Sequence, residues 1–335
     1  MVIDDKFKKQ ILALKSLWEK IQKECLIKEQ DLKAEDRVPF ITHLESKYFP
    51  EMMKHFAELN RISTSITNEE YPLYKEFARE NLCSLMISNN TVLNKQIADK
   101  PLGYAGDYIV AKYFYAEGYT GTSLWGMLMD RFTVKSPLAT AHRNRRKYLG
   151  SIIECLHKNK SNGPLRVTSF ACGPAPEVFD SLSKGMSNIE YFLLDGEKDV
   201  INYLTQKLTE FDDIAPQVKL QEINIINLLR KNTDLNIPKQ DFIYCAGFFD
   251  YIKDSTARKL IGYMLRQLNT NGQILIVNVS KDDEHDVCLN MLADWKLIHR
   301  NEQDLSCLVD REDVRKEVWA DEETKRNIYL KITKV

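Results

Sequence analysis

Arg166-Val-Thr-Ser-Phe-Ala-Cys-Gly-Pro-Ala-Pro-Glu177 opens as a β-rich run over 166–171 and breaks at a Gly-Pro turn. Just behind it Asn162-Gly163-Pro164 is a second turn signal. Ahead of it the same texture repeats: short β-rich runs over 189–194, 218–223, 241–246 and 273–279 alternate with helical stretches. Strand followed by helix, five times over, argues for a parallel sheet covered on both faces. Two more strand candidates, 295–299 and 328–333, flank a charged, partly helical loop, so the expectation is an α/β fold built on a seven-stranded sheet.

Upstream the texture changes. All 13 glycines lie between Gly103 and Gly272, and only Pro39, Pro50, Pro72 and Pro101 interrupt what precedes them, so that stretch should be helical. Phe7, Ile11, Leu14, Trp18, Ile21 and Cys25 recur at three- and four-residue steps and put one apolar stripe on a long first helix. Further helices are expected over 36–60 and 69–97. The stripe serves either a monomer, packed on its own domain, or a homodimer through a short coiled coil. At about 150 residues per domain the chain should form roughly two domains, read as a helical N-terminal domain over 1–160 and a sheet domain over 161–335.

Composition narrows the class. Hydrophobic residues make up 44% of the chain, enough for a sizeable core, and Lys+Arg 47 against Asp+Glu 48 leaves a net charge of -1. No whole-chain basic field therefore draws nucleic acid or an anionic membrane. The 7 cysteines form no CxxC pair and no zinc spacing, so no metal is expected, and reduced thiols fit a cytoplasmic protein. No apolar leader region opens the chain and no run of about eighteen apolar residues occurs, so no membrane span is expected.

In a doubly wound sheet, ligands bind outside the carboxyl ends of the strands near the switch point. A dinucleotide site wants several glycines there, so that the backbone approaches a pyrophosphate held by helix N-terminal N–H groups. This loop has only Gly173, and Pro174 and Pro176 have no N–H to donate. A nucleoside without phosphates tolerates that loss, because Ala171, Cys172, Gly173 and Ala175 are small; S-adenosylmethionine is such a ligand. The second strand ends at Asp195-Gly196, where a carboxylate can accept from both ribose hydroxyls; capping the next helix is the competing role. The third ends near Asn224-Ile225, where the amide can meet an adenine edge or simply make a turn.

With this order of elements, residues 163–335 resemble the catalytic domain of class I S-adenosylmethionine-dependent methyltransferases, a Rossmann-like seven-stranded fold. Ser169-Phe-Ala-Cys-Gly-Pro-Ala stands where that superfamily carries its acidic-x-Gly-x-Gly-x-Gly loop, with Ser169 replacing the acid and Ala171 and Ala175 replacing two glycines. Asp195 matches its ribose acid, Asn224 its adenine-side Asp or Asn, and Cys245-Ala-Gly247 the loop after its fourth strand. The resemblance implies a cofactor site of Ser169, Ala171, Cys172, Gly173, Asp195, Gly196, Asn224, Ile225, Cys245, Ala246 and Gly247. Three further segments, Pro101-Leu-Gly-Tyr-Ala-Gly-Asp-Tyr108, Ala141-His-Arg-Asn-Arg-Arg146 and Ala246-Gly-Phe-Phe-Asp-Tyr-Ile252, are similar to methyltransferases of 3-hydroxypalmitic acid methyl ester biosynthesis, a likeness spanning about residues 90–300. It implies bacterial methyl transfer to a carboxylate or similar small acceptor.

Methyl transfer from a sulfonium is an in-line displacement served by an apolar, aromatic site that excludes water. Tyr104 and Tyr108 are the favoured lining residues because Gly103 and Gly106 suit their loop to close approach, with Tyr119 added from the same aromatic cluster. Asp107 either serves the ligand's amine, serves as a base, or caps a helix starting at Tyr108. Periodicity over 139–156 turns His142, Arg145 and Arg146 inward with Ala141, Leu149, Ile152, Ile153 and Leu156. Inward guanidinium groups need oxygen partners, so Arg145 and Arg146 either make structural ion pairs or hold an acidic substrate or the cofactor's amino-acid tail. Phe248, Asp250 and Tyr251 lie where an acceptor approaches. A carboxylate acceptor needs no base; a hydroxyl would need one, with His142 and Asp250 the candidates. Cys172 and Cys245 read as small buried hydrophobes.

The expected function is S-adenosylmethionine-dependent O-methylation of a small acidic or fatty-acid-like acceptor, with the helical domain capping the pocket. The alternatives are N-methylation of a metabolite or protein, and a non-catalytic S-adenosylmethionine-binding module that docks a partner.

Overall fold

The computed structural model describes residues 2–211, 217–231 and 233–335. The chain divides into two compact units, Met1–Thr140 with Glu284–Lys296, and Ala141–Asp283 with Leu297–Val335.

The first unit is helical. Helix α1 (Asp5–Glu29) starts where the Asp4 carboxylate accepts from the Lys6 and Phe7 N–H groups, and buries Phe7, Ile11, Leu14, Trp18, Ile21 and Cys25. Helix α2 (Ala34–Ser63) runs through both Pro39 and Pro50. The single helix expected over 69–97 is two, α3 (Tyr71–Met86) and α4 (Leu93–Asp99). Between them the Thr91 hydroxyl donates to the Ser88 carbonyl and accepts from the Ser88 N–H, so short polar side chains take over backbone groups that a helix needs. The buried Asp130 carboxylate then accepts from Val92, Leu93 and Asn94 N–H at 2.7, 3.1 and 3.0 Å, capping α4 from a distant part of the chain. Helices α5 (Tyr108–Ala116) and α6 (Leu124–Val134) follow, and α7 (Pro137–Asn159) contains the boundary between the units. A π-helical turn over Val287–Leu292 returns Val287, Met291 and Leu292 to this unit's core.

The second unit is a seven-stranded sheet in the order β3-β2-β1-β4-β5-β7-β6. It is built from β1 (Leu165–Phe170), α8 (Pro176–Ser183), β2 (Ile189–Asp195), α9 (Lys198–Leu208), β3 (Val218–Glu222), α10 (Ile225–Lys231), β4 (Gln240–Ala246), α11 (Asp254–Gln267), β5 (Leu268–Val279), α12 (Glu302–Ser306), β6 (Val314–Ala320) and β7 (Asn327–Lys334). The first five strands are parallel, and β7 is antiparallel to both β5 and β6. This is a Rossmann-like sheet, preceded in the chain by a helical region.

The five runs expected to form a parallel sheet do so, with β6 and β7 adding an antiparallel edge, but one expectation needs correction: the stretch 295–299 is not a strand. Trp295 stacks on Phe114 in the helical unit with ring centroids 6.4 Å apart, while single backbone bonds from Ile298 to the Asp250 carbonyl and from Arg300 to the Val279 carbonyl replace a ladder. The sixth strand is instead β6, whose exposed Arg315, Lys316 and Glu317 give it the charge of a loop and suit an edge. Among the described residues no helix is long and apolar enough to cross a membrane.

Candidate functional site

The strand order reverses between β1 and β4, so a crevice is expected over their carboxyl ends. The loop leaving β1 holds three left-handed residues at alternate positions: Ala171 (φ 50°), Gly173 (φ 54°) and Ala175 (φ 42°). Left-handed alanines are costly, and the loop is kept in place by Cys172 N–H donating to the Leu194 carbonyl at 3.0 Å. A Cβ built on Gly173 meets nothing within 4 Å, so the backbone here borders open space.

Asp195, at the end of β2, turns toward that loop. Its Oδ2 accepts from the Gly173 N–H at 2.9 Å and its Oδ1 from the Glu197 N–H at 3.0 Å. Burial pushes its carboxyl above the ordinary range, against the backbone donors from Gly173, Glu197 and Gly196. Each carboxylate oxygen has a second acceptor site for a ligand hydroxyl. Behind it, Gly196 lies close to the Ile223–Asn224 backbone, where a Cβ would stand 3.6 Å from Asn224 Cα. The exposed Asn224 caps α10 by accepting the Asn227 N–H at 3.0 Å, and Ile225 is buried behind it.

Over the end of β4, Cys245 is buried and Ala246 leads into Gly247, which has φ 110°. A 3-10 turn over Phe248–Tyr251 carries the acceptor-side candidates. Arg145, only 7% exposed, reaches Gly247 from α7. The buried Glu177 of α8 accepts the Tyr244 hydroxyl at 2.6 Å, and burial raises its carboxyl despite the positive charges of Arg145 and Arg146. Asp250 is half-buried; burial pushes it up to about 7, although its Oδ1 accepts the Val279 N–H at 2.7 Å and Arg145 and Arg300 are near. Burial raises the Cys172 and Cys245 thiols far above the usual range, so neither is a thiolate nucleophile at neutral pH.

The remaining residues singled out from sequence fall in other surroundings. Arg146 makes a bidentate pair with Asp180 on α8, at 2.7 and 2.6 Å, and His142 is half-buried on α7. Tyr104, Asp107, Tyr108 and Tyr119 belong to the helical unit. There Asp107 caps α5 by accepting from Ile109 and Val110 N–H and also takes the Gln96 amide at 2.6 Å. The Tyr119 hydroxyl shares a 2.8 Å hydrogen bond with Thr42, and Arg131 lies over its ring. Among the described residues no group of three or more His, Cys, Asp or Glu could hold a metal ion.

Sequence reading missed Glu177 with Tyr244, and it missed Arg300. Every one of the five N–H donors a guanidinium carries is spent here: Nε on Asp254, Nη1 on the Phe249 carbonyl and Asn278, Nη2 on the Ile252 carbonyl and Asp254. The turn that presents Asp250 is thus fastened from beneath. No local pattern around position 300 announces this role.

No protein-family model matches the chain, and no curated protein does. Solved structures do. A protein described as a "possible exported protein" from Bordetella parapertussis is 14% identical with TM-score 0.57, covering 72% of this chain and 86% of that one. The magnesium protoporphyrin IX methyltransferase ChlM from Synechocystis PCC 6803, crystallised with S-adenosylhomocysteine, is 12% identical with TM-score 0.49 over 73% of this chain and 100% of that one. The pyocyanin biosynthetic protein PhzM is 12% identical with TM-score 0.44, over 70% and 63% of the two chains. At such identities the likeness is one of fold.

Proposed function

We propose that the chain is an S-adenosylmethionine-dependent methyltransferase whose acceptor is a small acidic or fatty-acid-like molecule, methylated on oxygen. The observation that carries the methyl-donor reading is the Asp195 carboxylate, held at the end of β2 by the Gly173 N–H beside an open loop. The residues fit a nucleoside. Asp195 meets the ribose hydroxyls, the bare Gly173 backbone leaves room for the sugar, and Pro174 and Pro176 remove the donors that a pyrophosphate would need.

When bound, S-adenosylmethionine supplies an electrophilic methyl group on a sulfonium. The protein's part is to hold the sugar at Asp195 and to fix the acceptor over the turn after β4. A carboxylate acceptor is already a nucleophile at neutral pH, so alignment and exclusion of water suffice. Asp250, with its carboxyl near 7, has the proton affinity of a general base should the acceptor be a hydroxyl. The acidic acceptor itself is supported by the likeness of Ala141–Arg146 and Ala246–Ile252 to fatty-acid-ester methyltransferases.

Calorimetric titration with S-adenosylhomocysteine tests the reading. The wild type should bind, and Asp195→Ala should lose about tenfold to a hundredfold in affinity through two charge-assisted hydrogen bonds. Failure of the folded wild type to bind overturns it.

A further inference from the structure

Two asparagines in the sheet unit are followed by glycine, Asn162-Gly163 and Asn271-Gly272. Asparagine is a thermolabile residue, and a following glycine has no side chain to hinder closure of the asparagine amide onto the next backbone nitrogen. By sequence the two pairs are equivalent; the fold treats them differently. Asn162 and Gly163 are both exposed, in a bend between the end of α7 at Asn159 and the start of β1 at Leu165. A Cβ on Gly163 would meet nothing within 4 Å, so open space borders its backbone. Its carbonyl accepts the Asn188 amide at 3.1 Å, which fixes the peptide after Gly163 and not the one before it.

Asn271 lies inside β5, held left-handed at φ 63° between Leu268 and Gln273, which pair with Gln240 and Phe242 of β4. Gly272 is buried, and a Cβ there would stand 2.9 Å from the Asn269 carbonyl oxygen and 3.1 Å from that of Gln240. Ring closure requires the peptide between asparagine and glycine to rotate until its nitrogen faces the side-chain carbonyl carbon. At Asn271 that peptide is wedged among backbone atoms of the sheet; at Asn162 it stands in solvent.

We propose that Asn162 is a site of spontaneous modification, converted through a succinimide to aspartate and isoaspartate, and that the fold silences the same dipeptide at Asn271. The Gly163 N–H gives its proton to hydroxide, the nitrogen attacks Asn162 Cγ, and the new C–N bond displaces ammonia. Water then opens the ring. At the Cγ carbonyl it yields aspartate; at the main-chain carbonyl it yields isoaspartate, whose backbone runs through the former side chain. A water is consumed for each ammonia released, and nothing is oxidised or reduced. Either product adds a negative charge at position 162. Isoaspartate also inserts a methylene into the backbone just ahead of β1, where it displaces the Gly163 carbonyl from Asn188, whose own carbonyl accepts the Leu165 N–H at 3.0 Å. The change falls at the amino end of β1, away from the carboxyl-end crevice, and does not depend on the methyl-donor reading.

The test holds the full-length protein in warm, mildly alkaline buffer, native and in urea, and follows both asparagine peptides by mass spectrometry after digestion at acidic pH. In the native protein the Asn162 peptide should gain about one mass unit at a rate within about tenfold of its rate in urea. The Asn271 peptide should be slowed more than about tenfold by folding and should convert readily only in urea. Asn162→Gln should remove most of the more acidic species that ion exchange resolves from the aged wild type, since closure from the longer side chain is slower. A native Asn162 slowed beyond about tenfold, or an Asn271 that folding does not slow by that much, overturns the inference. The comparison of native with unfolded wild type needs no variant to fold.

Discussion

Asp250 receives the Val279 N–H on one oxygen and sits in a wall fastened by Arg300, yet burial still holds its carboxyl at about 7. The consequence for stability has a definite sign. Between the ordinary carboxylate range and pH 7 the folded protein binds more protons at this site than the unfolded chain, so raising pH through that window weakens the fold. Asp250→Asn keeps an acceptor for Val279 and removes the titration. Its melting temperature should therefore gain on the wild type as pH rises from about 4 to 7, and parallel curves across that range would show that Asp250 ionises normally. Had the same shift come from a neighbouring carboxylate, moderate salt would reduce it; a desolvated group is far less sensitive.

Helix α6 begins against the polar turn that separates α3 from α4. A Cβ at Gly126 would lie 2.1 Å from the Asn90 carbonyl oxygen, a backbone atom that cannot swing aside. Gly126→Ala should cost about 3 kcal/mol or more, read as a shifted urea midpoint; a shift under about 0.5 kcal/mol would mean that the helix moves freely at this point. That contact also shows where sequence reading ends. β1, β2, β4 and the second half of β5 were legible because each is a largely buried apolar run, and β3, exposed at the sheet's edge, through the alternation of Val218 and Leu220 with polar residues. β6 was not, because an exposed edge strand carries Arg315, Lys316 and Glu317 like any surface loop. The 295–299 run has strand-like residues, but Trp295 spends its apolar surface on Phe114. Around the candidate site, the loop after β1 and Asp195 stood out because they are local patterns. Glu177 with Tyr244, 67 positions apart, and Arg300 with the Phe249 carbonyl, 51 apart, are pairings only the tertiary structure creates.

At the scale of the molecule, each unit has its own apolar core, but only the sheet unit is largely continuous along the chain after α7. The helical unit includes Glu284–Lys296, which places Met291 and the fully buried Leu292 among residues of α1 to α3. Leu292→Ala should cost about 2–5 kcal/mol. Hydrogen exchange should quicken first in α2 and α3, which pack on this segment, with strands β1 to β5 keeping their protection; earlier loss in the strands would contradict the assignment of this segment. The interleaving also bears on biosynthesis. Domains usually fold in the order in which they leave the ribosome, yet here the half that is translated first lacks part of its interior until position 296 has been added. By then all five parallel strands have been made, so the nascent helices must wait with the parts of α2 and α3 that meet this segment incompletely covered, and they complete their packing after the sheet has had its chance to form.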